Sequence, residues 1–266
     1  MRRVEPPDRL RHTYSETGMV HMSTPESTNT LRRALKGSKV LVKRHLQDIA
    51  PKEAMRARRD HVAVVGAVPE LEDIDSAMAT HSERLTPIHE DYCARVGHPV
   101  HAASVELAAL VLVLCERRGV KRVVDLGSGF TSWALRDWAA GRDVTVHSVD
   151  DSPEWLEKTR EYLNETDMAD DRLHVWEDFA SQDFAGTFDL VIHDLGFMDT
   201  RYRVIETAVG LARPGGLVLL DDMHKPDFRD KALAWVESQG LVAYSLKKLT
   251  RDTLTRFAYA LPIPST

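Results

Sequence analysis

The stretch Val-Val-Asp-Leu-Gly-Ser-Gly-Phe-Thr-Ser-Trp, from Val123 to Trp133, limits what this chain can fold into more than any other. A β-branched run that ends in Asp-x-Gly-x-Gly reads as a short buried strand, a glycine turn and the start of a helix. Glycines let the backbone pass close to a ligand, and the first amides of the following helix then point at it. Such a turn suits a nucleotide-like molecule.

The segments downstream repeat the same grammar. Strands are predicted over Arg122–Leu126, Val144–Val149, Leu173–Trp176, Phe188–His193 and Leu217–Leu220, and helices over Thr131–Ala140, Pro153–Asn164, Thr200–Ala212 and Asp227–Ser238. Repeated β-α units make a mostly parallel sheet covered by helices on both faces. Two further strands are predicted over Leu241–Leu246 and Thr253–Ala260. The link between them is too short for a parallel crossover, so one of the two must run antiparallel.

Upstream the pattern is helical. Ser104 caps a helix over Val105–Arg118, with Arg117 and Arg118 in its last turn and Gly119 after it. That helix is apolar almost all round and should be buried against the sheet. Leu71–Arg95 reads as a helix broken near Pro87, and Val62–Val68 as a strand or a buried linker. A basic amphipathic helix is expected from Leu31 to Ile49, ended by Pro51, with another over Pro51–Arg59. Residues 31–99 are thus expected to form a helical lid or dimerisation region, giving a homodimer, ahead of a main domain at 100–266. Residues 1–30 are polar, rich in Pro, Ser, Thr and Glu, and expected to be disordered, with Met19 and Met22 as alternative starts.

Composition narrows the class. With 43% hydrophobic and 29% charged residues in 266, the chain is an ordinary globular protein. No apolar run approaches the ~20 residues that cross a bilayer. No apolar segment follows Arg2 and Arg3, so the expected location is cytoplasmic. Cys93 and Cys115 alone do not imply a disulfide framework. The net charge of -6 argues against general nucleic-acid affinity, although the first sixty residues carry twice as many basic as acidic side chains.

Asp150 follows the glycine turn by about 20 positions, where a doubly wound fold carries the carboxylate that accepts from ribose hydroxyls. Asp151 and Ser152, just before Pro153, read as capping residues. Nicotinamide and flavin enzymes use a similar turn, with phosphates over Gly-x-Gly-x-x-Gly. Here Asp125 precedes the first glycine and Ser132 replaces the third, which suits a cofactor with a cationic amine.

On these residues the chain resembles the class I S-adenosylmethionine-dependent methyltransferases. Val123 to Gly129 is similar to that family's first motif, Val149-Asp150 to its ribose-binding acid, and Trp176 to Phe179 to its adenine-contacting turn. Phe188 to Asp194 is similar to its fourth motif, and Arg213 to Asp222 to the turn and fifth strand. The resemblance implies a Rossmann-like, doubly wound α/β fold with a seven-stranded sheet ordered 3-2-1-4-5-7-6, the last strand antiparallel, and an N-terminal helical extension. It also implies S-adenosylmethionine as cofactor. Asp125, Gly127, Ser128 and Gly129 would meet its aminocarboxypropyl end, Asp150 its ribose, and Asp178 and Phe179 its adenine, with Asp194 closing the cofactor side.

Methyl transfer from a sulfonium is an in-line displacement, so the protein must align an electron-rich atom and, for a hydroxyl, take its proton. His193 and Asp194 end the fourth strand, and Asp221, Asp222 and His224 follow the fifth. Asp194, Asp221 and Asp222 would repel one another unless a cation bridged them, so Mg2+ or another divalent ion is expected there. This resembles the metal-dependent catechol-type O-methyltransferases, with two departures. Asp222 stands at that family's amide position, and its lysine is missing from Asp194 to Met198. The competing expectation is a metal-independent N- or O-methyltransferase in which His193 or His224 is the general base; a non-catalytic scaffold is a third. His98 and His101 read as turn residues within reach of this rim, and Phe197, Met198 and Tyr202 as candidates to line an acceptor pocket. The Asn/Asp-Pro-Pro-Tyr signature of exocyclic-amine methylation is absent after the fourth strand, so the expected acceptor is a small molecule and not nucleic acid.

Overall fold

A computed structural model describes residues 62–169 and 172–265. The tail expected to be disordered, the alternative starts and the helices expected over 31–49 and 51–59 lie outside these residues.

Seven strands form one sheet among the described residues: β1 (Arg122–Leu126), β2 (Thr145–Asp150), β3 (Leu173–Val175), β4 (Phe188–His193), β5 (Ala212–Leu220), β6 (Tyr244–Ser245) and β7 (Tyr259–Pro262). Their order is β3-β2-β1-β4-β5-β7-β6. Strands β1 to β5 pair in parallel. β7 runs antiparallel to both β5 and β6, as the short link between the last two strands requires.

The sheet is buried on both faces, and alternate residues of each strand serve different cores. Val123, Leu190, Ile192, Leu217 and Leu219 pack on one side with helices α1 (Asp75–Arg95), α2 (Val105–Arg118) and α3 (Phe130–Ala139). Val124, Leu126, Val191, Val218 and Leu220 face the other side. There they meet the short α7 (Ile205–Gly210) and the longer α8 (Pro226–Ser238). α2 is buried without interruption from Leu107 to Cys115. Ser104 Oγ accepts from the Leu107 amide at 3.1 Å, and Gly119 ends the helix at φ 61°.

Several boundaries differ from the sequence expectation. Residues 62–67 are helical, because Val64 and Val68 form a buried i, i+4 stripe that joins the α2 core. α1 runs unbroken through Pro87. Pro87 sits on the exposed side, where water can take the carbonyl its ring leaves without a donor. The described part of the expected lid region is therefore built into the main core, through Leu71, Ile74, Leu85 and Tyr92. β3 stops at Val175 and Trp176 opens α5 (Trp176–Ala180), after the helix α4 (Pro153–Glu165) between β2 and β3. The helix expected over Thr200–Ala212 is split at Val204 into α6 (Met198–Arg203) and α7. β5 starts early, at Ala212, and bulges against β4 between Phe188 and Leu190. A Cβ at Gly216 would stand 2.7 Å from the Arg213 carbonyl oxygen, so the bulge needs glycine there. The last strands are shorter than expected, and Lys247–Thr250 between them forms a helical turn, α9.

β1 lies between β2 and β4, so the chain reverses direction across the sheet at this point. In doubly wound folds the crevice at the carboxyl ends of such strands is where ligands bind.

Candidate functional site

A cleft of about 560 Å³, lined by Gly127, Gly129, Asp150, Trp155, Asp194 and Asp221, opens above that reversal. A separate cavity of about 480 Å³ lies around Trp138 and Arg142, away from these residues. A volume of this size suits a cofactor or small ligand.

The turn after β1 is fixed by hydroxyls. Thr131 Oγ1 donates to Asp125 Oδ2 at 2.8 Å, and Ser132 Oγ donates to the same oxygen at 2.7 Å while accepting from the Gly129 amide at 3.0 Å. Ser132, where a dinucleotide fingerprint would carry glycine, thus ties the turn to the strand beneath it. Asp125 is fully buried and lies under the turn, outside the cleft lining. Burial pushes its carboxyl up to about 7, against the two hydroxyls and Arg136.

Gly127 takes φ 108°, and its amide donates to the Val149 carbonyl at 2.8 Å. Ser128 donates to Asp150 Oδ2 through its amide at 2.9 Å and its hydroxyl at 3.0 Å, and the Ser152 amide donates to Oδ1 at 3.0 Å. A carboxylate has about four lone-pair sites. Asp150 therefore keeps acceptor capacity while lining the cleft, and the residues fit a ligand that presents hydroxyls there. Trp155 forms the adjoining wall and donates to the Ser128 carbonyl at 2.7 Å.

The two residues expected at the adenine are not brought into this lining. Asp178 is exposed on α5, and its carbonyl accepts from Ser181 and Gln182. Phe179 is buried in an aromatic cluster, stacked on Phe184 with centroids 4.8 Å apart.

At the acceptor end the structure brings Asp194, Asp221 and Asp222 together, as expected, with a residue the sequence reading missed. Arg201 from α6 lies 2.6 Å from Asp194 Oδ1 and 2.8 Å from Asp222 Oδ2. It also donates to the carbonyls of Asp194 and Gly196 at 2.7 and 2.9 Å. Lys225 Nζ adds a contact to Asp222 at 2.7 Å. Burial raises the Asp222 carboxyl, but Arg201 and Lys225 outweigh it and hold the group below its ordinary value. Burial raises the Asp194 carboxyl above its ordinary value, against the pull of Arg201. Asp221 is raised to about 6 by burial and by Asp222, and enters no ion pair among the described residues. Asp222 itself is held at φ 58°, a left-handed conformation uncommon for a non-glycine residue.

The expected divalent-cation site needs correction. The Arg201 guanidinium already bridges two of the three carboxylates, and no group of three or more His, Cys, Asp or Glu side chains among the described residues is arranged to hold a metal ion. Asp194, Asp221 and Asp222 do not fit the metal role.

The histidines divide differently from expectation. His193 is fully buried, and its Nε2 donates to the Arg201 carbonyl at 2.9 Å. Burial and the neighbouring Arg201 push it down to about 3, so it stays neutral. It is outside the cleft lining, as is His224, which borders an adjoining 430 Å³ pocket with Met198, Tyr202 and Lys231. Burial lowers His224 too. His98 is a turn residue whose Nδ1 accepts from the Val100 amide, whereas His101 lines the cleft beside Trp155. Phe197 and Met198 line the cleft; Tyr202 does not. Arg256, also absent from the sequence expectation, pins that wall by donating to the carbonyls of Val100 and Ala102.

No family model and no curated protein matches the sequence. Solved structures do share its fold. The chain is similar to the O-methyltransferase TomG from Streptomyces achromogenes, involved in tomaymycin synthesis and solved in complex with S-adenosylmethionine. That likeness has 19% identity over 77% of this chain and 95% of that one, with a TM-score of 0.51. It is also similar to cofactor-bound Rv0187 from MTB, at 20% identity over 75% of this chain and 95% of that one, with a TM-score of 0.51. The fold is therefore the Rossmann-like sheet of these proteins. Among the described residues no helix is long and apolar enough to cross a membrane.

Proposed function

We propose that this chain is an S-adenosylmethionine-dependent methyltransferase acting on an oxygen of a small-molecule acceptor. The observation that carries the reading is the cleft at the sheet reversal, where the Gly127–Gly129 turn and the Asp150 carboxylate face one another. Sharing its fold with a methyltransferase that binds S-adenosylmethionine adds support.

When bound, the cofactor supplies an activated methyl group on a sulfonium. The protein's own work is then alignment and proton management. Asp150 offers its remaining acceptor sites to the ribose hydroxyls, and Trp155 covers that side of the cleft. His101, Phe197 and Met198 line the same cleft. Asp221, the rim carboxylate that enters no ion pair among the described residues, is the group that takes the acceptor proton. His193 serves this site from behind, through Arg201, and not as the base.

Titration calorimetry tests the cofactor. The wild type binds S-adenosylmethionine, and Asp150→Ala binds it about 10–100-fold more weakly, the loss of hydrogen bonds to a charged acceptor worth about 1.5–3 kcal/mol. A wild type that shows no binding rejects the reading. Release of S-adenosylhomocysteine across a panel of hydroxylated small molecules then tests turnover, and turnover with any of them removes the scaffold alternative.

A further inference from the structure

We propose that Arg201 is a built-in counter-cation that holds the place of a divalent metal ion at the acceptor end of the cleft, and that the site works without metal because of it. For the site's role in catalysis this rests on the methyltransferase reading; for the cation itself it does not.

Three carboxylates that converge in a largely buried rim need positive charge, and either a hard metal ion or a fixed side chain can supply it. Here the side chain is fixed to an unusual degree. The planar guanidinium spans Asp194 and Asp222, and its remaining donors reach the carbonyls of Asp194 and Gly196. These carboxylate and carbonyl oxygens are the donor atoms a hard cation would seek. Arg201 is only 4% exposed and also lies over the Phe228 ring, 5.9 Å from its centroid. An arginine fork matches two carboxylates better than a lysine would.

The backbone of Arg201 is held as well. His193, at the end of β4, donates to its carbonyl, so the strand that delivers Asp194 also fixes the residue that neutralises it. His193 is thus a positioning residue. The net effect is a rim in which the carboxyl groups of Asp194 and Asp222 are tied down by Arg201 while Asp221 stays available to the acceptor.

The test is binding of Mn2+, which takes oxygen ligands as Mg2+ does and can be followed by calorimetry and by electron paramagnetic resonance. Wild-type protein stripped with chelator is expected to bind no Mn2+ at millimolar concentration and to keep its melting temperature. Arg201→Ala, which leaves the carboxylates without the guanidinium, is expected to gain one site with millimolar or tighter affinity, and its melting temperature to rise with Mn2+. Arg201→Lys keeps the charge and should exclude the ion as the wild type does. If Arg201→Ala does not fold, Arg201→Gln, which keeps a donor without the charge, takes its place. Stoichiometric Mn2+ binding by the wild type, or a folded, charge-removed variant that gains no site, overturns the proposal. Neither outcome depends on whether S-adenosylmethionine binds, so failure here is distinct from failure of the methyltransferase reading.

Discussion

Replacing Gly127 with alanine is expected to abolish detectable binding of S-adenosylmethionine and to destabilise the protein by several kcal/mol, about 3–5 by analogy with other severe core disruptions. Two costs combine. At φ 108° an L-residue is strained before any contact is considered. Its Cβ would also stand 2.5 Å from the Asp194 carbonyl oxygen and 2.7 Å from the carbonyl carbon. Those are backbone atoms at the end of β4, so no rotamer change relieves the overlap. Either the glycine turn lifts off or the β4 end moves, and both carry cleft residues with them, Ser128 and Asp150 in the first case, Asp194 and Arg201 in the second. Gly141→Ala is the matched control: its φ is 72°, but nothing lies within 4 Å of the added Cβ. That change should cost only about 1–2 kcal/mol and leave binding intact. Denaturant unfolding and calorimetry on both variants measure the contrast. Binding by Gly127→Ala within a few-fold of wild type would show that the turn is not held against β4 as described.

The contrast between these two glycines shows which parts of the molecule the sequence could reveal. Local rules foresaw the strand of Val123 and Val124, whose alternation divides the two cores, and the capped α2 between Ser104 and Gly119. The short link before the last strand required an antiparallel pair, and β7 supplies it. Three converging carboxylates were also legible, because strand ends in a doubly wound sheet meet on one rim. Their counter-charge was not. Arg201 reaches Asp194 only because the chain turns back at Gly196, at φ 60°, and enters a helix of six residues with no periodicity to announce its inward face. The missing lysine after Asp194 was the one available signal, since a rim of acids without it needs a cation from elsewhere. Phe179 shows the opposite error. Its neighbours in sequence suggested a ligand contact, but Phe184, Phe188 and His147 surround it in space.

Asp125 was foreseen as a ligand contact and is instead a buried acid beneath the turn, which makes it a determinant of how stability depends on pH. Its carboxyl sits at about 7 in the folded protein, against 3.8 as the reference, and burial is the main cause. A carboxyl whose folded value is raised binds its proton more tightly in the native state. Stability therefore falls as pH rises from about 4 to about 7, by roughly 1.4 kcal/mol per pH unit and about 4 kcal/mol across the window. Below the window both states are protonated and the effect is absent; above it the full cost is present. Asp125→Asn removes the titration while keeping one oxygen to accept from Thr131 or Ser132. Urea unfolding of wild type and variant from pH 5 to pH 8 is expected to show the wild type losing stability relative to Asp125→Asn up to about pH 7, then running parallel to it. A difference that stays flat over that range would mean that the two hydroxyls and Arg136 fully offset burial and that Asp125 is ionised in the folded protein throughout. The turn would then rest on a buried carboxylate and not on a neutral acid.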